Sequence, residues 1–108
     1  MSGRLTYLGE FEQVVLLAVA RIGHEAYGMR IRREIEERTG RTVSIGAVYA
    51  TLERLADKGC LRARAGDEGR ARRFFTVTDT GVDALETSRE IHTRMWAGLR
   101  LPRSRQGS

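Results

Sequence analysis

The sequence predicts a mainly α fold with a small β hairpin, in the order α-α-α-β-β-α. Two observations carry this prediction. Residues 44–58 place apolar side chains at helical spacing on one side and small residues on the other, and the helix closes at Gly59. An arginine-rich segment, 61–77, follows at once and alternates like a two-stranded hairpin. A helix with a basic hairpin directly behind it is typical of a winged helix-turn-helix.

Apolar spacing also predicts the first two helices. The first runs from about Gly9 to Ile22 and is apolar around most of its circumference, so it must be covered on more than one side. The second spans roughly Tyr27 to Thr39 and stops at Gly40, which readily adopts the left-handed conformation. A small domain has little other surface with which to cover the first helix. We therefore expect a partner subunit to cover part of the first helix.

Ser44 is a natural N-cap for the third helix. At about 100° per residue, one side of this helix faces the core, and it carries Ile45, Val48, Leu52 and Leu55. The opposite side carries Gly46, Ala47, Ala50 and Arg54, with Tyr49 and Thr51 on its flanks.

The hairpin turns at residues 66–69, and its return strand is predicted over 70–77. Residues 42–43 are candidates for a third short strand. Thr78 and Asp79 cap the last helix, which runs to about Leu99. The chain is thus predicted to comprise a winged helix-turn-helix DNA-binding domain (1–77), a dimerisation helix (78–99) and a disordered basic tail (100–108).

Positive charge is concentrated in two places. The formal charge is +5, with a calculated pI near 10.3. The hairpin carries five arginines against only Asp67 and Glu68, and the tail adds three more, whereas the last helix is mildly acidic. This distribution favours a polyanion partner such as nucleic acid. The alternative is an arginine-rich solvated surface, which is a stronger alternative for the tail than for the hairpin.

Several classes of function find no support. Cys60 is the only cysteine, so no intrachain disulfide forms, and it is expected to be a small buried hydrophobe. The apolar run 14–20 is too short to cross a bilayer, and no signal peptide opens the chain, so we expect a cytoplasmic protein. His24 and His92 are the only histidines. With no metal-ligand spacing, phosphate loop or nucleophile–base pair, we expect no enzyme activity, cofactor or metal.

The exposed side of the third helix suits the DNA major groove. Small residues let the backbone approach the bases, and a few polar side chains supply donors and acceptors. Arg54 would either read a guanine edge or hold a phosphate, and the sequence leaves both open. The small residues could instead face another helix, but the adjacent hairpin favours DNA. The candidate contacts on this helix are Ser44, Gly46, Ala47, Tyr49, Ala50, Thr51 and Arg54.

The hairpin arginines are the second candidate contact. Arg70 and Arg72 flank the tip, where a wing would meet phosphates or the minor groove, and Arg73 follows them. Strand alternation places some arginines on each face, so others cover core edges with their stems.

The last helix has an apolar line with little left to pack on once the core has formed. We expect it to pair with the first and last helices of a twofold mate. The predicted dimer interface comprises Phe11, Val15, Val82, Leu85, His92, Met95, Trp96 and Leu99. Trp96 could in addition line a site for a planar ligand at the dimer seam, although packing is the simpler role.

The combined segments resemble a known family, the PadR transcriptional regulators. The resemblance covers about residues 8 to 99 and rests on three stretches, which are 16–36 with Tyr27-Gly28-Met29, 43–61 with Val48-Tyr49-Ala50-Thr51-Leu52, and 69–81 with Arg72-Arg73-Phe74-Phe75. It implies a dimeric winged-helix repressor whose C-terminal helix forms the dimer. It also implies that residues 44–54 read the operator, with Tyr49 contacting the backbone, Arg70 to Arg73 gripping flanking DNA, and Tyr27 serving packing or phosphate contact.

Two departures from the family pattern matter. Ala50 replaces the usual proline after the recognition-helix tyrosine, which predicts a straighter helix. The chain ends after one C-terminal helix, so it resembles the short branch without a separate effector domain. Some short members bind flat aromatic compounds between tryptophans, which makes Trp96 the candidate residue for an aromatic effector.

The sequence therefore predicts a homodimeric, sequence-specific DNA-binding repressor that acts on a palindromic operator and is released by a ligand. Its predicted partners are double-stranded DNA, a second copy of the chain and a small aromatic effector, with no membrane. The alternative is a winged-helix module whose same face docks an acidic protein.

Overall fold

A computed structural model of the chain describes residues 6–66 and 72–104 and contains the six elements in the predicted order. The elements are α1 Glu10–Ile22, α2 Gly28–Thr39, α3 Ile45–Asp57, β1 Leu61–Ala65, β2 Arg73–Val77 and α4 Asp79–Trp96. Three helices carry a two-stranded antiparallel wing and are followed by a C-terminal helix. The predicted winged helix-turn-helix fold is confirmed.

The helix boundaries follow the local chemistry that predicted them. Ser44 caps α3, where its Oγ accepts a hydrogen bond of 3.0 Å from the amide of Ala47. Thr78 caps α4 in the same way, with a bond of 3.1 Å from the amide of Gly81. Gly40 ends α2 in the left-handed conformation, at φ 74°.

The last helix is shorter than the sequence suggested. α4 ends at Trp96 and not near Leu99, because Ala97 leaves the helical conformation and Gly98 follows with a φ of 75°. Residues 97–99 still contain an apolar side chain at helical spacing, so periodicity alone extended the prediction past the true end.

The wing is a hairpin of five residues per strand, in which Leu61 pairs with Val77 and Ala65 with Arg73. The return strand is described from Arg73 to Val77, and Arg70, where the prediction began it, lies outside the described part of the chain with the rest of residues 67–71. Residues 42–43 are described and form no strand, so the suggestion of a third strand there is wrong.

Ala26, in the turn before α2, takes the place of that third strand. It forms an isolated bridge to Phe75, whose amide donates a hydrogen bond of 2.8 Å to the Ala26 carbonyl. Val43 is used differently, because its amide donates to Oε2 of Glu36 at 3.0 Å. This hydrogen bond makes the largest contribution to the lowered pKa of the Glu36 carboxyl. Arg32 also lowers the pKa, whereas burial opposes both.

The core lies between α1, α2, α3 and the base of the wing. Its buried side chains include Val15, Leu16, Val19, Ile31, Ile35, Val48, Leu52, Leu55, Leu61 and Phe75. Cys60 is also fully buried, and this burial raises the pKa of its thiol. α4 adds only Ala84 as a buried side chain, with Leu85 partly buried. α3 therefore has one side fixed in the core and one side open beside the wing.

Candidate nucleic-acid interface

The open side of α3 is formed as predicted. Gly46, Ala47, Tyr49 and Ala50 are all exposed. Apart from its chain neighbours and the backbone of α3 itself, no heavy atom of the described residues lies within 4 Å of the position a Cβ would take on Gly46. The backbone of α3 can therefore approach another surface closely over its first two turns. Contact of these residues with DNA stays a prediction.

Thr51 does not belong to this face. Its exposure is 1%, and its Oγ1 lies 3.1 Å from Nη2 of Arg54, which donates to it. The position lies near the edge of the apolar stripe, and both α1 and α2 pack against α3 and widen the covered arc. The prediction that Thr51 contacts DNA is corrected, because a side chain buried in the domain cannot reach a groove.

Arg54 is exposed, but it is held from inside the domain. Its Nε lies 3.4 Å from Oε2 of Glu12, and its Nη2 bonds Thr51. Lys58 joins the same carboxylate, with Nζ at 2.7 Å from Oε1, and also donates to the Tyr7 carbonyl at 2.9 Å. The basic end of α3 is thus tied to the start of α1.

Glu12 is the acidic centre of this cluster, and only 9% of its side chain is exposed. Burial opposes its ionisation, but Lys58, the Gly9 amide and Arg54 together outweigh burial and hold the pKa of the Glu12 carboxyl below its ordinary value. The sequence contained a signal for this site, because Glu12 lies four residues after buried Leu8 and three before buried Val15. A carboxylate at that spacing needs a cationic partner.

Tyr49 lies across the start of α2. Its ring packs on Gly28, where an added Cβ would be 2.6 Å from Cε1 of the tyrosine. Tyr49 as a whole remains 43% exposed. Tyr49 is therefore anchored on one edge and free to make contacts on the other.

The wing is fixed beside Tyr49 by a series of ring contacts. The guanidinium of Arg72 lies 4.1 Å from the centroid of the Tyr27 ring. Tyr27 meets Phe74 edge-on at 5.9 Å, and Arg64 covers the Phe74 ring at 4.8 Å. Such cation–π contacts orient a guanidinium without neutralising it. Arg72 therefore keeps its charge beside α2 and α3.

Arg73 is held by a different partner. Its Nη2 forms an ion pair with Oε2 of Glu53, which links β2 to α3, and its guanidinium also lies 5.2 Å from the centroid of the Phe75 ring. Glu53 was not among the predicted site residues. The sequence indicated Glu53 only through its position four residues after Tyr49, which places both on the same side of α3. Arg70, also predicted to contact DNA, lies outside the described residues.

These side chains surround an open cleft of about 350 Å³ between the start of α2, α3 and the wing. It is lined by Tyr27, Met29, Tyr49, Arg72 and Arg73. Two guanidinium groups and two phenol groups converge there. The cleft brings together four of the predicted contact residues, and this chemistry suits the phosphate backbone of a nucleic acid.

α4 presents a second, apolar surface. Met95 is 73% exposed and Trp96 57%, and Val82, His92 and Leu99 are also exposed. Between α4 and α1 lies an open groove of about 530 Å³. It is lined by Gln13, Leu17, Ala20, Val77, Val82, Leu85, Glu86, Ser88, Arg89 and His92.

Three of the predicted interface residues are not exposed. Val15 is fully buried in the core of its own domain, so its assignment to a dimer interface is corrected. Phe11 and Leu85 are partly buried and pack against that core. The width of the apolar stripe on α1 explains the error, because periodicity does not tell which part of a wide stripe the domain itself covers. Leu17 and Ile91 are also exposed and apolar, and they were not among the predicted interface residues.

In residues 6–66 and 72–104, no group of three or more histidine, cysteine, aspartate or glutamate residues is placed to hold a metal ion. None of the helices in these ranges has the length and apolar character needed to span a membrane.

Comparison with known proteins places this geometry in context. Residues 15–87 match the Transcriptional regulator PadR-like family. RosR of H. salinarum, solved as a complex, is 27% identical with a TM-score of 0.70, over 86% of this chain and 77% of that one. No curated protein sequence shows significant similarity.

Two further solved structures share the fold at lower identity. A transcriptional regulator from Clostridium thermocellum is 21% identical with a TM-score of 0.68, over 78% of this chain and 81% of that one. A winged-helix DNA-binding protein from STIV is 21% identical with a TM-score of 0.70, over 88% of this chain and all of that one.

Proposed function

The chain belongs to the PadR-like family of transcriptional regulators, and from this premise we propose that it is a homodimeric repressor of a palindromic operator. Membership establishes a DNA-binding regulator of the winged-helix type and not an enzyme. The proposal adds how the domain holds DNA, how two copies combine, and the sign of regulation.

The cleft between α2, α3 and the wing is the observation that supports the DNA contact most strongly. α3 enters the major groove with Gly46, Ala47 and Ala50 toward the bases, and Ser44 lies at its leading end. The hydroxyl of Tyr49 and the guanidinium groups of the wing then meet phosphates. Few long side chains face the bases, so shape and phosphate contacts share the recognition. Arg54 is already paired with Glu12, so it can contact a phosphate but does not reach a base.

α4 is proposed to form the dimer. Its exposed apolar side chains, with the α1 groove beside them, are costly to leave in water, and a twofold mate would cover both surfaces. The two α3 helices would then read the two halves of a palindrome. Trp96, beside Met95 near the end of α4, offers an indole ring for a flat aromatic effector that releases the repressor.

The test is fluorescence anisotropy of the protein with the DNA upstream of its own gene, beside a scrambled duplex, over a salt series. We expect selective binding with a steep salt dependence. Tyr49→Ala and Arg72→Ala should each weaken operator binding at least about tenfold while the fold is retained by circular dichroism. Arg38→Ala, at the opposite end of α2 from Tyr27, removes the same charge as Arg72→Ala and should leave binding intact. Equal loss in all three variants would contradict the cleft as the binding site.

Dimerisation and the effector have separate tests. Sedimentation over a concentration series should show a dimer that Trp96→Ala weakens, and a monomer throughout would overturn this part of the proposal. Titration with a panel of flat aromatic compounds should change Trp96 fluorescence and weaken operator binding together. A reporter gene behind the operator should be more active when the regulator is deleted, and lower activity would mean activation.

A further inference from the structure

Glu53 is an exposed acidic residue on the open side of α3, one turn after Tyr49 and next to the exposed Arg54. It follows Tyr49 by four residues and Gly46 by seven, which at helical spacing places all three on one exposed strip. Its side chain is 57% exposed. A carboxylate on a DNA-facing strip is repelled by every phosphate it approaches, so it weakens binding unless it finds a partner on the DNA.

In the free protein that partner is Arg73 of the wing. The pair joins two elements that would both touch DNA, and it binds one wing guanidinium to a carboxylate of the protein, whereas the neighbouring Arg72 stacks on the Tyr27 ring. A phosphate can take Arg73 only if the Glu53 carboxylate then finds another donor on the DNA, because an unpaired carboxylate at the interface is costly.

We propose that Glu53 determines specificity by accepting a hydrogen bond from the N4 amino group of a cytosine in the operator. In the major groove this amino group is a donor that a carboxylate can recognise, and thymine presents a carbonyl oxygen at the same place. On the operator, the carboxylate exchanges Arg73 for cytosine while Arg73 takes a phosphate. On other sequences the carboxylate has no donor, so Arg73 stays paired with it. The inference rests on the proposed DNA contact of α3.

Exchanging Arg73 for a donor on the DNA should therefore cost Glu53 little free energy on the operator and much more on other sequences. Removing the negative charge should therefore help binding to unrelated DNA and harm discrimination. A residue that merely supported the fold would change both affinities alike.

The experiment uses the full chain and a duplex selected by the wild-type protein from a random library, beside a scrambled duplex. Glu53→Ala, which removes both the charge and the acceptor oxygens, should bind the scrambled duplex several-fold more tightly and lower the ratio of the two affinities about tenfold. Its salt dependence on the scrambled duplex should steepen by about one unit, because Arg73 becomes free to bind a phosphate. Glu90→Ala is the matched control, since it removes the same side chain from an exposed ion pair with Arg94 on α4, at 2.8 Å.

A base-substitution scan of the selected duplex identifies the contact. Replacing one C·G pair per half-site by T·A should weaken wild-type binding about tenfold and leave Glu53→Ala, which has no acceptor oxygen at this position, unaffected. If the wild type discriminates the two duplexes but Glu53→Ala keeps the same ratio and no C·G pair behaves in this way, Glu53 is not a specificity determinant and the DNA contact of α3 stands. If the wild type binds neither duplex, the proposed function and this inference both fail.

Discussion

The ring of Tyr49 rests on the backbone of Gly28, so the exposed side of α3 and the first residue of α2 are in direct contact. A Cβ at position 28 would lie 2.6 Å from Cε1 of the tyrosine, far inside contact distance. Position 28 therefore accepts a hydrogen atom and no methyl group while the ring keeps this orientation. Glycine is required here by close approach, since its φ is not positive.

Gly28→Ala should displace the Tyr49 ring and weaken operator binding about tenfold, the effect of losing one good polar contact. The free energy of unfolding should change by less than about 1 kcal/mol, because the better helix propensity of alanine offsets the lost packing. Anisotropy titration and urea unfolding measure the two effects.

The control is the same substitution in a Tyr49→Ala background. If Gly28 acts through the ring, the double variant should bind no more weakly than Tyr49→Ala alone. Additive losses would mean that Gly28 itself approaches the DNA, and unchanged affinity of the single variant would mean that the ring position does not matter.

Local signals predicted the fold because the chemistry that ends a helix lies within a few residues of the end. Ser44, Thr78 and Gly40 do what their residue types favour. The same local patterns put predicted contact residues on α3, the wing and the start of α2, where four of them line one cleft, and their contact with DNA stays a prediction. What could not be predicted depends on tertiary approach. Glu12 meets Lys58 across 46 residues of chain.

Periodicity gives the direction of a side chain but not the width of the arc that other elements cover. Thr51 and Val15 were misassigned for this reason, since both lie where neighbouring elements extend the buried arc. Ala26 completed the wing sheet because the turn before α2 passes beside Phe75, an approach that a strand pattern in residues 42–43 could not reveal.

Glu12→Gln should lower the free energy of unfolding by about 1–3 kcal/mol. The substitution removes a nearly buried carboxylate that accepts from Lys58, Arg54 and the Gly9 amide, at 2.7, 3.4 and 2.8 Å. The loss stays below that of a fully buried pair because both cations are partly exposed and can be rehydrated. Urea unfolding at fixed protein concentration measures it. Glu10→Gln, exposed in the same turn, should have little effect, and an equal effect would argue against the network.

The stability of the protein should fall in acid, partly through the same carboxyl. The folded pKa of Glu12 lies below its ordinary value of 4.5, so ionisation favours the folded state. This contribution is complete above 4.5 and disappears as the pH drops through the lowered folded value. The difference in stability between the wild type and Glu12→Gln should therefore be constant near neutral pH and shrink below about pH 4.5. A difference that stays constant into strong acid would contradict the assignment. Glu36, whose pKa is also lowered, remains in both proteins and cancels from the comparison.

Thr51→Val should separate burial from DNA contact on α3. Valine keeps the shape of threonine but cannot accept the hydrogen bond from Arg54, so we expect a loss of about 0.5–1.5 kcal/mol in stability. Operator affinity should stay within about twofold of the wild type, because a side chain with 1% exposure cannot touch DNA. Tyr49→Ala, two residues earlier and on the open side, should weaken operator binding at least about tenfold in the same assay. A large loss of affinity in Thr51→Val at unchanged stability would mean that α3 opens on binding DNA and that Thr51 reaches the groove after all.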